Sequence, residues 1–280
     1  MEQKRQEKFT GERALFQSEN IKIYDSIFSD GESPLKESKE IEIYGSIFKW
    51  KYPLWYCHNI IMEDSFLLET ARSGIWYTQN ITIKNSTIEA PKTFRRASGI
   101  ILDAVDLPLA QETLWNCHNI QLLNVKARGD YFGMHSKEIT AKSINITGNY
   151  AFDGCKNIEI RDSKLISKDA FWNCENVLVR NSTIIGEYLG WNSKNVTFID
   201  CRIESLQGLC YIENLTLINC NVINTKKAFE YSTVTVESTT HIDSVMNPMG
   251  GIIQAPSIGE VTLNDVKIQA DKTTIITKDG

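Results

Sequence analysis

The chain has 280 residues, of which 42% are hydrophobic and 23% are charged, and its formal net charge is −5. This length exceeds the usual size of one domain, so it implies either two domains or one elongated repeat array. The negative charge disfavours nucleic acid as the main partner. The polar start and the lack of any run of 18 or more apolar residues predict a cytoplasmic protein without a membrane span.

A repeat of 19 to 21 residues runs along most of the chain. Its unit reads N-I-x-I-x-[ND]-[SC]-x-I, as in residues 80–88 and 176–184, and only the last step, of 27 residues, departs from the period. Such a period is the signature of a stacked repeat protein. In chain order the units begin at Asn20, Glu40, Asn59, Asn80, Gly99, Asn119, Glu138, Asn157, Asn176, Asn195, Asn214, Thr233 and Glu260.

Each column of the repeat has a physical meaning. The first and third residues after the start are apolar, as in Ile41 and Ile43, which predicts a strand with one buried face. The fifth is mostly Asp or Asn, as in Asp25, which tolerates a bend. The sixth is mostly small, as in Ser26, and the eighth is bulky, as in Phe28, so small and large side chains share the interior of one coil.

A unit of this size cannot bury its own apolar face and must stack on its neighbours. We therefore predict an all-β fold, a parallel β-helix of about 13 coils, right-handed because parallel crossovers almost always are. Residues 1–280 are expected to form a single β-helix domain. Residues 1–10 are expected to be an N-terminal tail or cap, and residues 240–280 the irregular last coils or a C-terminal cap. Asn247, Pro248, Gly250 and Gly251 are expected to loop out near that end.

The third strand predicted for each coil carries an outward column. Five residues before each unit start lies an inward apolar residue such as Leu54 or Phe171, so the next residue must point outward. This column contains five of the six tryptophans. Its members are Phe16, Lys36, Trp55, Trp76, Arg95, Trp115, Met134, Asp153, Trp172, Trp191 and Cys210.

A contiguous aromatic stripe of this kind usually marks a binding surface. Aromatic faces flanked by carboxylates and guanidinium groups suit a saccharide, whose rings present C–H faces and hydroxyl edges. The alternative is that the stripe mediates self-association into a homo-oligomer or binds a protein, because Trp and Arg are also enriched at protein interfaces. The predicted ligand-binding residues are Trp55, Trp76, Arg95, Trp115, Trp172, Trp191, Tyr56, Tyr77 and Arg72.

Asp153 is the strongest candidate for a catalytic acid. In the stacked register it falls between Met134 and Trp172, and apolar neighbours would raise its pKa, as a general acid requires. If the protein is an enzyme, this pattern indicates a polysaccharide hydrolase or lyase. The candidates for the partner carboxylate are Asp130, Glu187 and Asp169, and His135 is the candidate for assisting proton transfer.

The seven cysteines lack the CxxC pairs of zinc sites, and the four histidines form no metal pattern. Cys57, Cys117, Cys155 and Cys174 lie two residues before their unit starts, which are inner positions. We therefore predict buried, reduced thiols, no metal site and no cofactor.

The N-I-x-I-x-[ND]-[SC]-x-I ladder resembles the right-handed β-helices of the pectin-lyase-like superfamily. Five segments, GERALF (11–16), GESPLKES (31–38), PLWYC (53–57), FWNCEN (171–176) and GEYLGWNSKN (186–195), are more closely similar to a bacterial family known as a domain of unknown function. The resemblance implies the fold over nearly the whole chain and supplies no catalytic residues.

Overall fold

The computed structural model describes residues 1–278. Asp279 and Gly280, the last residues of the predicted C-terminal cap, lie outside the described residues. The chain divides into two compact units, residues 1–145 and residues 146–280, and each is described by itself. The only helices among the described residues are two 3₁₀ turns, Glu69–Ala71 and Ala270–Lys272.

The first unit consists of long strands that alternate with short ones. β1, β3, β5, β7, β10, β13, β15 and β17 are the long strands, and the rest have two or three residues. The strands are β1 Glu2–Arg5, β2 Lys8–Phe9, β3 Glu19–Tyr24, β4 Ile27–Phe28, β5 Lys39–Tyr44, β6 Ile47–Phe48, β7 His58–Glu63, β8 Phe66–Leu67, β9 Ile75–Trp76, β10 Gln79–Lys84, β11 Thr87–Ile88, β12 Phe94–Arg95, β13 Ser98–Asp103, β14 Asp106–Leu107, β15 His118–Leu123, β16 Lys126–Arg128 and β17 Lys137–Lys142, followed by β18 Asn145–Thr147 at the end of the unit.

The second unit continues the same alternation up to β25, in which a long and a short strand are fused. Beyond β25 the strands have four to six residues. They are β19 Lys156–Arg161, β20 Lys164–Ile166, β21 Glu175–Arg180, β22 Thr183–Ile185, β23 Lys194–Ile199, β24 Arg202–Glu204, β25 Glu213–Ile223, β26 Thr233–Ser238, β27 Ile242–Met246, β28 Gly250–Gln254, β29 Ile258–Thr262 and β30 Thr273–Ile276.

The strands pair in parallel with their equivalents one repeat away. Ile41 on β5 pairs with Ile21 on β3 and with Ile60 on β7, so residues of one column of the repeat lie above one another. In the second unit Val177 on β21 pairs in the same way with Ile158 and Val196. The all-β parallel β-helix is confirmed, with about 14 turns.

The bulky column of the repeat forms part of the core, and the Asp/Asn column forms the bends. Phe28 and Phe48 are buried and their rings stack with centroids 4.5 Å apart. Asp25, Asp64 and Asn85, at the predicted bend position, have φ of 48°, 50° and 46°, which is the left-handed region that Asp and Asn tolerate. The predicted roles of these two columns in packing and bending are thus confirmed.

The small column has a second role beyond size. The backbone N–H of Ser46 donates to Oγ of Ser65, and that of Ser65 donates to Oγ of Ser86, each at 3.1 Å. Each hydroxyl in turn donates to a carbonyl two residues back in the chain, as Ser65 does to Glu63 at 2.7 Å. The column therefore satisfies backbone N–H groups that the bends would otherwise leave buried and unpaired.

The register predicted for the last step is wrong. Glu260 lies on β29, which pairs with β27, and its neighbour Val261 is 41% exposed. The strand that follows β26 in the main sheet is β28, in which Gly250 pairs with Thr233, and β30 follows β28. Gly250 and Gly251 are thus part of a strand and do not loop out, because at Gly251 a Cβ would lie 1.8 Å from the Val234 carbonyl oxygen.

The N-terminal residues 1–10 contain β1 and β2. These strands pair in parallel with β3 and β4, with Gln3 opposite Lys22 and Phe9 opposite Phe28. The segment therefore has the strand pattern of a coil.

Candidate functional site

The side of the coil that carries the tryptophans is mostly a series of turns. Among the described residues, β9 and β12 are the strands on this side, where Trp76 lies opposite Arg95. In the second unit Asp169, Phe171 and Asn173 have left-handed φ of 57°, 59° and 54°. In the second unit, left-handed residues at every second position thus replace the predicted third strand. Phe171 is still buried inside the coil, and Trp172 is half-buried on its outside.

In the first unit the column is a continuous stack. The rings of Trp55 and Trp76 are 5.1 Å apart and nearly parallel, at 8°. The guanidinium of Arg95 follows, 4.7 Å from the ring centroid of Trp76 and 4.7 Å from that of Trp115. An arginine between two indoles is a double cation–π contact, so Arg95 takes the place of an aromatic ring in the stack.

Each tryptophan of the column also donates its indole N–H to a carbonyl 16 or 18 residues further along the chain. Trp76 Nε1 donates to the carbonyl of Lys92 at 2.8 Å, and Trp115 Nε1 to that of Tyr131 at 2.7 Å. Trp172 and Trp191 do the same in the second unit, to Tyr188 and Gln207. These bonds hold the indoles flat along the coil direction.

The faces of the Trp76 indole are therefore not open to a sugar, and saccharide binding by the tryptophans of the column stays a prediction. In the first unit the faces of Trp76 are covered by Trp55 and Arg95, because rings that repeat at the coil spacing, about 4.8 Å, pack on one another. The indoles are half-buried, so what the column offers to a ligand is a row of ring edges.

A second row in the first unit consists of the residues that follow the column. Tyr56 and Tyr77 stack at 4.7 Å and 5°, with the Lys36 ammonium over Tyr56 and the Arg96 guanidinium over Tyr77. Tyr56 is exposed and Tyr77 half-buried. Arg72 is also exposed and ends the 3₁₀ turn Glu69–Ala71.

Ion pairs surround Arg95. Its Nη2 lies 3.3 Å from Oε2 of Glu112, and the Lys92 ammonium lies 3.2 Å from the same oxygen. The Nε of Arg95 is buried and has no hydrogen-bond partner. Two cations thus share one carboxylate at this point of the column.

The predicted catalytic residues are divided between the units. Asp130 and His135 belong to the first unit, where Asp130 is half-buried and His135 is exposed with a φ of 54°. Asp153 and Glu187 belong to the second unit. Glu187 is exposed, and its Oε2 lies 3.4 Å from the Lys168 ammonium.

The column of the second unit has perpendicular rings beside it. Trp172 and Trp191 are 6.0 Å apart at 14°. Tyr150 meets Trp172 edge to face at 5.9 Å and 90°, and Tyr188 meets Trp191 at 5.5 Å and 78°. Tyr211 tilts against Trp191 at 4.9 Å and is exposed.

A hydrogen-bonded polar row lies directly beside this column. Asn173 Nδ2 donates to Asp153 Oδ1 at 2.9 Å, and Asn192 Nδ2 donates to Asn173 Oδ1 at 2.8 Å. Asn173 and Asn192 follow Trp172 and Trp191 in the chain and are exposed. We call Asp153, Asn173 and Asn192 the polar row.

Asp169 is the one candidate carboxylate that is deeply buried. It is 2% exposed, and its Oδ1 has no hydrogen-bond partner. Burial raises the pKa of Asp169 above its ordinary value, with smaller opposing effects from the Lys168 charge and a hydrogen bond from Tyr150. The environment predicted for Asp153 is thus found at Asp169, whereas Asp153 accepts a hydrogen bond from Asn173.

The sequence predicted Asp169 only as one of three candidates for the partner carboxylate, without its burial, and Tyr150 was missed. A signal was present, because the position seven residues before the unit start reads Tyr131, Tyr150, Asp169, Tyr188 in four successive repeats. A carboxylate in a column of tyrosines is an anomaly in the repeat. Backbone hydrogen bonds confirm the column in the second unit. The backbone N–H of Tyr150 donates to the carbonyl of Lys168, and the backbone N–H of Asp169 donates to the carbonyl of Glu187.

The first unit also has a groove on the outer face of its long strands, with a volume of about 420 Å³. Its walls include Ile61 and Ile101 together with Asn59, Asn80 and Asn119. Asn80 donates to Asn59 at 3.0 Å, and the amide ladder then stops because the next residue of the column is Gly99. Within residues 1–278, no buried side-chain N or O atom of this groove lacks a hydrogen-bond partner. Asp169, in the second unit, differs because its Oδ1 is buried without a partner.

Two further properties bear on the chemistry. Within residues 1–278 no group of three or more His, Cys, Asp or Glu side chains is arranged to hold a metal ion. No helix in this part of the chain is long and apolar enough to cross a membrane.

These features define a parallel β-helix protein with ladders of stacked side chains on its surface. The chain belongs to the family described as "Protein of unknown function (DUF3737)", which matches residues 2–276. No curated protein matches the sequence. The family membership confirms the resemblance seen in the five sequence segments, and the relation to pectin lyases stays a prediction.

Solved structures with a similar course of the chain are distant in sequence. The surface adhesin PfbA of Streptococcus pneumoniae is 12% identical, with 87% of this chain and 69% of that chain covered and a TM-score of 0.35. The A-module of the mannuronan C-5 epimerase AlgE4 of Azotobacter vinelandii is 11% identical, with 96% and 86% covered and a TM-score of 0.30. The plasmid-mediated fluoroquinolone resistance protein QnrB1 is 11% identical, with 79% and 92% covered and a TM-score of 0.25.

Proposed function

We propose that the protein binds a saccharide chain along the polar row of its second unit, with the edges of Trp172 and Trp191 as the apolar side of the site. The observation that carries this proposal is the polar row itself, whose amide and carboxylate groups recur once per coil beside an aromatic column. A surface with a regular repeat suits a ligand that also repeats.

The chemistry of the polar row supports a hydroxyl-rich ligand. The Asn173 amide uses one N–H and one oxygen lone pair on its neighbours, and Asn192 uses one N–H, which leaves a second N–H and an oxygen lone pair on each for a ligand. Sugar hydroxyls both donate and accept, so they match this mixed edge. The exposed ring of Tyr211 and the half-buried indoles beside it supply contact for C–H groups.

The charges favour a neutral saccharide over a polyanion. Asp153, Asp169 and Glu187 lie in this region, with Lys168 as the cation beside them. A chain of carboxylates or phosphates would meet like charge there. The seven cysteines are free and buried, which fits a reducing compartment and supports the cytoplasmic location as part of this proposal.

A binding screen with matched variants tests the proposal. Wild-type protein is titrated with neutral and acidic oligosaccharides by calorimetry, and its mass in solution is measured by light scattering. Asn192→Ala should weaken binding of the best neutral ligand by about 0.5 to 1.5 kcal/mol, or about 2- to 12-fold in Kd, because one side-chain hydrogen-bonding partner is lost.

Asn195→Ala is the matched control. Asn195 donates to Asn176 at 2.9 Å in an equivalent ladder on another bend of the same coil, and its φ is 54° against 56° for Asn192. Because Asn195 also accepts a 2.9 Å hydrogen bond from Asn214, its replacement should cost at least as much fold stability as Asn192→Ala and leave the affinity unchanged. A wild type that binds no saccharide and forms a stable dimer would replace this proposal with the self-association alternative.

A further inference from the structure

The Tyr150 and Asp169 side chains form a pair that saccharide binding alone does not require. Asp169 occupies a tyrosine position of the repeat, with Tyr150 one coil before it and Tyr188 one coil after it. The Tyr150 hydroxyl and the Asp169 carboxyl group share a hydrogen bond, in which the hydroxyl donates when Asp169 is ionised and the acid proton donates when Asp169 is protonated. A carboxylate that accepts from a tyrosine hydroxyl is placed to exchange a proton with it.

Trp172 lies across this pair. Its ring meets that of Tyr150 at 5.9 Å, and its Nε1 donates to the carbonyl of Tyr188 at 2.8 Å, so the indole spans the coil that carries Asp169. Asp169 is 2% exposed. Tyr150 remains half-buried, so it is the member of the pair that a ligand can touch.

An unpaired oxygen on a buried carboxylate is costly to the fold. Leaving such an atom without a partner costs about 1 to 3 kcal/mol, and more when the group is charged. A tyrosine, the residue at this position in the coils before and after, would avoid that cost. The retained carboxylate, with a buried Oδ1 that has no hydrogen-bond partner, therefore points to chemistry at this place.

We propose that Tyr150 and Asp169 form a proton-transfer pair that cleaves a glycosidic bond of the bound saccharide, with Tyr150 as the catalytic residue that touches the bridging oxygen and Asp169 as the positioning residue behind it. This inference rests on the proposed function. It narrows the hydrolase or lyase alternative to hydrolysis, adds Tyr150, and assigns Asp169 the part of a positioning residue.

Tyr150 gives its hydroxyl proton to the bridging oxygen and takes the proton held by Asp169, while the bond from the anomeric carbon to that oxygen breaks and the electron pair stays on the oxygen. A water molecule forms the new bond to the anomeric carbon and gives a proton to Asp153. Solvent then returns this proton from Asp153 to Asp169, so the net reaction consumes one water and yields two hydroxyl groups.

The neighbouring charges fit these roles. Burial favours the protonated form of Asp169, and the charges of Asp153 and Glu187 act in the same direction. Lys168 opposes them and would stabilise the Asp169 carboxylate after the proton has left. Two carboxyl groups in unequal environments are the usual arrangement of an acid and a base in glycoside hydrolysis.

The test uses the full chain as wild type, Tyr150→Phe, Asp169→Asn and the control Asp162→Asn, whose carboxylate is exposed and accepts from Asn181. Binding of neutral oligosaccharides is measured by calorimetry, and release of reducing ends is measured between pH 4 and pH 9. Tyr150→Phe and Asp169→Asn should keep the wild-type Kd within about twofold and lose about 100-fold or more in rate, the usual contribution of a general acid. Asp169→Asn should also remove the alkaline limb of the pH profile, which a loss of packing alone would not do.

The outcomes separate the two proposals. A wild type that binds oligosaccharides and releases no reducing ends overturns the proton-transfer pair and leaves the saccharide site standing. Equal rates in wild type and both variants overturn it as well. A wild type that binds no oligosaccharide overturns the proposed function and this inference together. If Asp169→Asn fails to fold by circular dichroism, Tyr150→Phe decides alone.

Discussion

The backbone N–H of Ser46 donates a 3.1 Å hydrogen bond to Oγ of Ser65 in the next coil. The Ser65 hydroxyl donates to the carbonyl of Glu63 at 2.7 Å, so one buried side chain satisfies two backbone groups. The same pattern recurs from Ser26 to Ser86. Hydrogen bonds between coils, as well as apolar burial, thus hold the β-helix together.

Ser65→Ala should destabilise the protein by about 1 to 3 kcal/mol, because it leaves the Ser46 N–H buried without a partner. Ser29→Ala is the control, since Oγ of Ser29 is buried and has no partner to lose. That change should be neutral or slightly stabilising. Chemical denaturation of both variants measures the difference, and equal effects would contradict the role of the serine column.

Ile158→Asp should destabilise strongly, by more than about 3 kcal/mol, because it places an unpaired charge in the core column. Ile158 is 2% exposed and pairs with Val177 in the next coil. Lys84→Asp, at an exposed strand end, should change the melting temperature little. Thermal melts in which both variants tolerate the change equally would show the strand register to be wrong.

Asp169→Asn should stabilise the fold relative to wild type more strongly at neutral pH than at acid pH. Burial raises the pKa of Asp169 above its ordinary value of 3.8, so the folded state holds a proton that the unfolded state has released. The stability that this bound proton gives to the folded state is fully present below pH 3.8, and it is lost as the pH rises through the pKa of Asp169 in the folded state. The free energy of unfolding of the variant relative to wild type should therefore be smallest near pH 3 and larger at pH 7. A difference that does not change with pH would contradict the buried state of Asp169.

The thiols of Cys57, Cys117 and Cys210 should be unreactive in the folded protein. All seven cysteines are buried, and burial raises the pKa of Cys57, Cys117 and Cys210 to about 12, so almost no thiolate forms near pH 8. A thiol reagent at pH 8 should label these three only after denaturant is added. Rapid labelling of Cys57 or Cys117 in the native protein, located by mass spectrometry, would contradict their placement inside the coil.

The column periodicity could be predicted from the sequence because one side chain per coil, such as Ile41 or Ile60, must face the interior. The outward direction of Trp76 followed from the same alternation. What could not be predicted is how the ring lies, since the indole N–H bond to Lys92 and the stacking on Trp55 depend on the neighbouring coil. Glu260 was misplaced because the last coils differ in length, and periodicity alone does not show which strand joins the main sheet.

The central claim is that a saccharide lies along the polar row beside Trp172 and Trp191. Hydroxyl-radical footprinting of the full chain, with and without the best neutral oligosaccharide, tests it most directly, since Tyr211 is exposed and both indoles show an edge. We expect reduced oxidation of Trp172, Trp191 and Tyr211, and unchanged oxidation of Trp55 and Tyr56. Protection that falls on Tyr56 or on the groove at Ile61, or no protection at a ligand concentration well above Kd, would contradict it.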